Sequence, residues 1–254
     1  MVHGLEKFKE YFEEFADNYV LIGGTACDIL MDDLGLDFRA TNDLDIVLIT
    51  ESMTKDFRDR LQLFLNHGGY KNLNKSSGQE QFFRFSKPTN ELFPKMIELF
   101  CRTSEEGPIN LGDQFVRLEV DGNVISLSAI LLNNAYYDVL LEGRTTIDGL
   151  SLLNTEVVIL FKIKAWLDLS EKRSKGEEVQ MNDIKKHKND VLRLLTVISP
   201  SVKIGVDEEI QRDIKRFVEE MNAEPPDLKS LKINARYEEM QQLLISLFQL
   251  SQGI

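Results

Sequence analysis

The chain has 254 residues, of which 43% are hydrophobic and 28% are charged, a balance typical of folded rather than disordered proteins. Its net charge of −12 argues against general attraction to the backbone of a nucleic acid. Two cysteines are too few for a disulfide scaffold, and no apolar run approaches the roughly 20 residues that cross a bilayer. We therefore expect a cytoplasmic protein without a membrane segment, in which Cys27 and Cys101 are reduced core residues.

The first half of the chain mixes helix and strand patterns. Apolar residues at helical spacing predict three helices, over 5–15, 25–34 and 54–67. Short apolar runs predict strands over 20–22, 43–49, 81–85 and 95–100, followed by a hairpin over 116–127.

From residue 128 onward helical patterns dominate. They predict helices over 128–141, 155–170, 181–198, 207–221 and 235–250. The sequence thus predicts an α+β (α/β) protein, in which a mixed β-sheet domain with flanking helices is followed by an all-helical C-terminal domain. We place the boundary between residues 1–135 and residues 136–254.

A Gly-Gly-Thr sequence occupies the first predicted turn from strand to helix. At Gly23 and Gly24 the backbone N–H groups can approach a ligand closely, the start of the helix adds partial positive charge, and Thr25 adds a hydroxyl. These features suit a phosphate group. The alternative is that the two glycines only shape the turn.

Three acidic residues lie on predicted strands. Asp43 and Asp45 point to the same face because side chains alternate along a strand, and carboxylate oxygens are ligands that Mg²⁺ prefers. Glu98 is the lone charge in an apolar strand, and a buried carboxylate needs a partner, a metal or a shifted pKa. The alternative is that all three acids are solvated, the Asp pair at a strand end and Glu98 on an edge strand.

Three sequence marks together resemble the nucleotidyltransferase-fold superfamily: Gly23-Gly24-Thr25, Arg39-x-Thr41-x-Asp43-x-Asp45, and Glu98. Within it, the sequence is most similar to the AbiEii-type toxin nucleotidyltransferases of bacterial abortive-infection and toxin–antitoxin systems. The resemblance implies a nucleotidyltransferase-like sheet domain and a helical domain that covers the nucleotide cleft.

The resemblance also implies ligands for individual residues. A nucleoside triphosphate would bind through its phosphates at Gly23, Gly24 and Thr25. Mg²⁺ or Mn²⁺ would bind Asp43 and Asp45, with Glu98 as the third carboxylate. Two further residues, Arg39 and Thr41, would position the phosphates or the Asp pair. The alternative for Arg39 is a structural role as a counter-ion for the acids.

Two segments of the helical half extend the resemblance. Leu160–Ala165 is similar to the Leu-Lys-x-x-Ala helix of that group, and 186–191 is similar to its Lys-Asp-x-x-Asp segment, with Asp190 as the matching acid. Lys162 lies in a very apolar predicted helix and has no obvious acidic partner nearby in the sequence. It is therefore a candidate partner for the triphosphate or for Asp190. The alternative is a lysine that reaches solvent at the rim of the core. His187 is interpreted as a surface or phosphate-side residue rather than a metal ligand.

The sequence therefore predicts an Mg²⁺-dependent enzyme that transfers NMP from a nucleoside triphosphate to an acceptor hydroxyl, with Lys162 and Asp190 facing the cleft. The acceptor stays open. An RNA or protein hydroxyl on the net-positive stretch 162–193 would suit a toxin with a cognate antitoxin, whereas an antibiotic-type small molecule needs only a closed pocket. The rival interpretations are a non-catalytic nucleotide-binding protein on the same fold and a structural helical adaptor.

Overall fold

The computed structural model describes residues 2–72, 81–101, 133–223 and 225–250. Its strands are β1 Tyr19–Leu21, β2 Asp43–Leu48, β3 Lys71–Asn72, β4 Gln81–Ser86, β5 Met96–Cys101, β6 Arg144–Ile147 and β7 Leu150–Leu153. They form one mixed sheet in the order β3-β4-β5-β2-β1-β7-β6. The predicted hairpin over 116–127 and the first residues of the predicted helix over 128–141 lie outside the described residues.

The described helices flank this sheet. They are α1 Leu5–Phe12, α2 Gly23–Asp33, α3 Lys55–Gly68, α4 Asn134–Glu142, α5 Thr155–Ser174, α6 Met181–Leu195, α7 Glu208–Ala223 and α8 Tyr237–Leu247. Three of them have a side-chain cap, because Thr54, Asn133 and Asn154 each accept a hydrogen bond from the backbone N–H three residues later. In the part of the chain that the structure describes, no helix has both the length and the apolar character needed to span a bilayer.

A central strand pair determines where the acidic residues lie. β2 runs antiparallel to β1 and parallel to β5, and β5 runs antiparallel to β4. The parallel register pairs Asp45 with Glu98, and the antiparallel register pairs Glu98 with Arg84. Since directly paired residues point to the same face of a sheet, these three side chains lie in a row across three strands.

The mixed sheet with flanking helices and helices after it confirms the predicted fold class. One hairpin was not predicted: β6 and β7 lie after residue 128, where the sequence indicates only helices. Asp148 and Gly149 form its turn with φ values of 49° and 77°, and β7 pairs in parallel with β1. All four residues of β7 are buried, so the strand lacks the alternation that identifies half-buried strands. The division at residue 135 stays a prediction.

Helix α5 connects the sheet to the later helices. It packs against α2 on one side and against α6 and α7 on the other. Eleven of its residues are buried, including Lys162. A charged side chain is thereby placed in the interior, next to the turn that leads from β1 into α2.

Candidate active site

The Gly-Gly turn touches the acidic strand directly. Gly23 has a φ of 64°, and a Cβ atom there would lie 1.9 Å from Oδ2 of Asp45. At Gly24 a Cβ atom would lie 2.7 Å from Oγ1 of Thr41. Any side chain at either position would push away the residues that precede or begin β2. The two glycines therefore do more than shape a turn, because they let the backbone of α2 approach the Asp pair closely.

Three charged side chains form a connected row on β2, β5 and β4. Arg84 donates to Oε1 of Glu98 from Nε at 2.7 Å, and its terminal nitrogen lies 2.6 Å from the same oxygen. Glu98 also shares a hydrogen bond with Asp45, and Asp43 acts electrostatically on both acids. The structure thus brings the three predicted acids together and adds a cation beside one of them.

Burial and mutual repulsion change the acidity of this row. Burial raises the pKa of Asp45 well above its ordinary value, and the charges of Glu98 and Asp43 act in the same direction. Burial also raises the pKa of Glu98, although Arg84 opposes it. The three carboxylates on the strands face one neighbouring cation, Arg84, so the site carries an excess of negative charge.

A second charged cluster lies where α6 and α5 meet the segment before β2. Asp190 is fully buried and accepts from Nε and a terminal nitrogen of Arg39 at 3.0 and 2.8 Å. Nζ of Lys162, which is 4% exposed, lies 3.0 Å from Oδ2 of the same carboxylate. Burial acts to raise the pKa of Asp190, but Lys162 and Arg39 outweigh it and lower the pKa to about 2. Asp190 is therefore charged and holds Arg39 and Lys162 in place, while a terminal nitrogen of Arg193 lies 3.8 Å from its Oδ1.

A cavity of about 290 Å³ separates the two clusters. The sheet lines it with Asp43, Asp45, Glu98 and Arg84, and the helices line it with Lys162, Lys186 and His187. Gly23, Gly24, Arg39 and Thr41 complete the polar part, while Leu153, Val158 and Phe161 are among its apolar residues. The cavity therefore combines three acids on the strands with two lysines on the helices, two arginines outside the helices, and several apolar residues.

Two predicted site residues have other roles in the structure. Thr25 is fully buried, and its hydroxyl donates to the backbone carbonyl of Asp43 at 2.7 Å, so it positions the acidic strand instead of presenting its hydroxyl to a phosphate. Asp190 was predicted to face the cleft, but it lies behind Arg39 and Lys162 and does not line the cavity. His187 is only 9% exposed, so it is not the surface residue that its basic sequence context suggested.

The sequence interpretation overlooked Arg84 and Lys186. Arg84 is the single charge in the apolar run of β4, the same signal that identified Glu98 on β5. Lys186 pairs with Asp183 at 2.9 Å and reaches the cavity from the first half of α6. Nothing in the spacing of a basic helical run distinguishes this lysine from its solvated neighbours.

The carboxylates supply the hard oxygen donors that Mg²⁺ or Mn²⁺ binds. Burial is the main cause of the raised pKa values of Asp45 and Glu98, the charge of Asp43 acts in the same direction, and a divalent cation would offset that repulsion. Among the described residues, no three Asp, Glu, His or Cys side chains are already arranged as a set of metal ligands. Glu98 is engaged by Arg84, so the donor set that fits a cation best is Asp43 and Asp45.

Arg39 also borders a second, larger groove. This groove has a volume of about 1020 Å³ and lies between the segment 36–39, the end of α6, the segment 230–235 and α8. Its lining includes apolar side chains such as Phe38, Leu195 and Leu243. Arg39 therefore lines both the groove and the cavity.

No family model matches the chain, and no curated protein matches it at a significant level. Two solved structures are similar to it over most of its length. An antigenic nucleotidyltransferase-like protein from Paracoccidioides brasiliensis is 19% identical, with 91% of this chain and 94% of that chain covered and a TM-score of 0.39. The solution structure of the antibiotic-resistance factor ANT(2'')-Ia is 13% identical, with 87% and 95% covered and a TM-score of 0.37. Likenesses at these scores do not establish a shared fold or activity, so function must be argued from the residues of this chain.

Proposed function

We propose that this protein is a metal-dependent nucleotidyltransferase that transfers NMP from a nucleoside triphosphate to an acceptor hydroxyl. One observation carries the proposal: a single cavity contains three carboxylates on its strands and two lysines on its helices. A nucleoside triphosphate with its divalent cation has the complementary distribution of charge. Lys162, Lys186 and Arg39 would bind the phosphates, and the apolar residues would receive the nucleoside.

Asp43 and Asp45 would hold Mg²⁺ or Mn²⁺. When bound, the cation supplies charge neutralisation for the phosphates and for the pyrophosphate that leaves. The chain itself orients the reactants. Gly23 and Gly24 line the cavity at the start of α2, where partial positive charge would favour the phosphates.

Nucleotidyl transfer forms a bond between the acceptor oxygen and the α-phosphorus, breaks the bond from that phosphorus to the pyrophosphate, and releases the proton of the acceptor hydroxyl. We assign that proton to Glu98. Arg84 binds Oε1 of this carboxylate and Asp45 also hydrogen-bonds to it, so Glu98 would accept the proton once Asp45 holds the cation. Its raised pKa suits it to the task of a general base.

Substitution of Asp43 tests the proposal. The purified protein is incubated with labelled nucleoside triphosphates, Mg²⁺ and candidate acceptors, and transfer of label and release of pyrophosphate are followed. Asp43→Asn is expected to reduce both by about a thousandfold, because a neutral amide binds a divalent cation poorly. Its unfolding by urea is expected to stay close to that of the unsubstituted protein.

Asp33→Asn is the matched control, since Asp33 is exposed at the end of α2 and does not line the cavity. The control is expected to retain full activity. Full activity in Asp43→Asn, or no transfer by the unsubstituted protein with any acceptor class, would contradict the assignment.

The identity of the labelled product distinguishes the possible acceptors. Label in RNA or protein would support an AbiEii-like toxin role, for which a cognate antitoxin is the expected partner. Label in a small hydroxyl compound would support an antibiotic-type transferase. The two roles make different demands on the surface, because a polyanionic acceptor would have to approach a chain of net charge −12 along the stretch 162–193.

A specific observation favours one rival function, a nucleotide-binding protein without turnover. Arg84 engages the carboxylate that would complete the catalytic set. Such a protein would bind a nucleoside triphosphate in the presence of Mg²⁺, measured by calorimetry, and release no pyrophosphate. Binding together with release would exclude this rival.

A further inference from the structure

His187 has a buried nitrogen without a hydrogen-bond partner. Its side chain is 9% exposed and lines the cavity, and Nδ1 has no partner among the described residues. A buried polar atom left unpaired costs roughly 1–3 kcal/mol, and a ligand that pairs it recovers that cost. His187 lines the cavity, but Nδ1 itself has almost no exposed surface, so a ligand in the cavity pairs with this nitrogen once the imidazole turns towards it.

The surroundings of His187 specify the chemistry of that ligand. Burial lowers the pKa of His187 well below its ordinary value, and the positive charges of Lys162, Lys186 and Arg39 lower it further, with Asp190 opposing them. The imidazole is therefore neutral in a strongly cationic part of the cavity. The charged groups that line the remainder of the cavity are Asp43 and Asp45 on β2, Glu98 on β5 and Arg84 on β4.

We propose that His187 binds a phosphate oxygen of the nucleotide through Nδ1–H and takes up one proton from solvent as the phosphates enter. This inference rests on the proposed function, and it adds a binding residue and a pH dependence to that site. The phosphates bring several negative charges next to the imidazole, which offset the repulsion from Lys162 and Lys186. The imidazolium then makes a charge-assisted hydrogen bond, which is stronger than a neutral one.

Proton uptake makes the affinity for the triphosphate depend on pH. The group binds its proton more tightly in the complex than in the free protein, so lowering the pH favours the complex. Affinity is expected to rise by up to about tenfold per pH unit as the pH falls from 8 to 6. Stability of the free protein responds in the opposite sense, because the unfolded chain gains a proton on His187 below pH 6.5 and the folded chain does not.

The test measures binding of ATP, GTP, CTP and UTP with Mg²⁺ by calorimetry between pH 6 and 8, in buffers of different ionisation enthalpy. His187→Asn keeps a polar group close to the position of Nδ1 but does not titrate. His3→Asn makes the same change at an exposed residue outside the cavity. Protonation of the triphosphate itself contributes equally to all three proteins, so the difference between them isolates His187.

The unsubstituted protein and His3→Asn are expected to take up close to one proton more per bound triphosphate than His187→Asn. The nitrogen NMR signals of His187, one of three histidines in the chain, are expected to move from neutral to protonated positions when triphosphate binds. Equal proton uptake in all three proteins, with binding intact and unchanged His187 signals, would refute this inference and leave the proposed function standing. Failure of the unsubstituted protein to bind any triphosphate would refute both.

Discussion

At the scale of single residues, Asp190 carries a buried charge on which two cations depend. Lys162 and Arg39 are oriented by its two carboxylate oxygens, and all three groups come from different parts of the chain. The presence of a buried ion pair is weak evidence that the pair stabilises a protein. Removal of one partner is nevertheless destabilising, because the other charge stays buried without a partner. Asp190 acts on the cavity only through the cations that it positions.

We predict that Asp190→Asn lowers the free energy of unfolding by about 3–5 kcal/mol, because Lys162 then remains buried without its anion. Unfolding by urea at pH 7 measures the change. Asp59→Asn is the control, since Asp59 forms an exposed ion pair with Lys55 that is worth at most about 1 kcal/mol. Equal effects of the two substitutions would contradict the role given to Asp190.

The same substitution has a pH dependence with a definite sign. The pKa of Asp190 is about 2 in the folded protein, against an ordinary value of 3.8. Its contribution is therefore complete above about pH 4 and is lost as the pH falls through 4 towards 2. The difference in stability between the unsubstituted protein and Asp190→Asn should shrink by about 2 kcal/mol over that interval, measured by urea unfolding.

Gly23 offers a second test at this scale, with a natural control in Gly35. Both have left-handed φ values, 64° and 69°, but a Cβ atom at Gly23 would meet Asp45 at 1.9 Å and one at Gly35 would meet nothing within 4 Å. We predict that Gly35→Ala costs about 1–2 kcal/mol of stability and leaves triphosphate binding intact. Gly23→Ala should cost more and also weaken triphosphate binding at least tenfold, measured by calorimetry. Intact binding by Gly23→Ala would show that the turn is not part of the site.

At the scale of elements, the row of charges across β2, β5 and β4 couples three strands. Arg84→Gln would leave Glu98 beside Asp45 without its cation, and we predict a loss of about 2–4 kcal/mol in the free energy of unfolding. The double variant Arg84→Gln with Glu98→Gln should recover about 1–3 kcal/mol of that loss, because the unpaired charge is gone. Additive effects of the two changes in urea unfolding would refute the coupling.

The sequence predicts this site only in part. Gly23 and Asp45 are brought together by short connections between strand, turn and helix, which local patterns describe well. The pairing of Arg84 with Glu98 depends instead on the register between β4 and β5, which no local pattern determines. Asp190 and Arg39 are 151 residues apart, so their contact depends on how helices pack and not on spacing along the chain.

The helices show the same distinction. Thr54 and Asn154 cap the starts of α3 and α5, and such capping residues are recognisable in the sequence. Both helices begin within one residue of the predicted positions. The hairpin of β6 and β7 was missed even though Asp148-Gly149 is a strong turn signal. Its strands have four residues each, and β7 is buried throughout. Hydrophobic periodicity therefore does not identify them as strands.

At the scale of the whole molecule, β7 ties the second half of the chain to the sheet of the first half. A fragment of residues 1–135 would lack the strand that pairs with β1 and the helix α5 that packs on α2. We predict that this fragment does not unfold cooperatively and that its NMR signals are poorly dispersed. The full chain is expected to unfold cooperatively and to give well-dispersed signals. A cooperative transition in the fragment would instead support an independent domain ending at residue 135.

The place of Arg39 beside two spaces has a consequence for the size of the molecules that the protein can accept. Arg39 lines both the cavity of about 290 Å³ and the groove of about 1020 Å³, and Asp190 holds its guanidinium group in place. Shortening this side chain to alanine would enlarge both spaces. Each space would then accept a larger molecule than the one that fits beside the intact arginine.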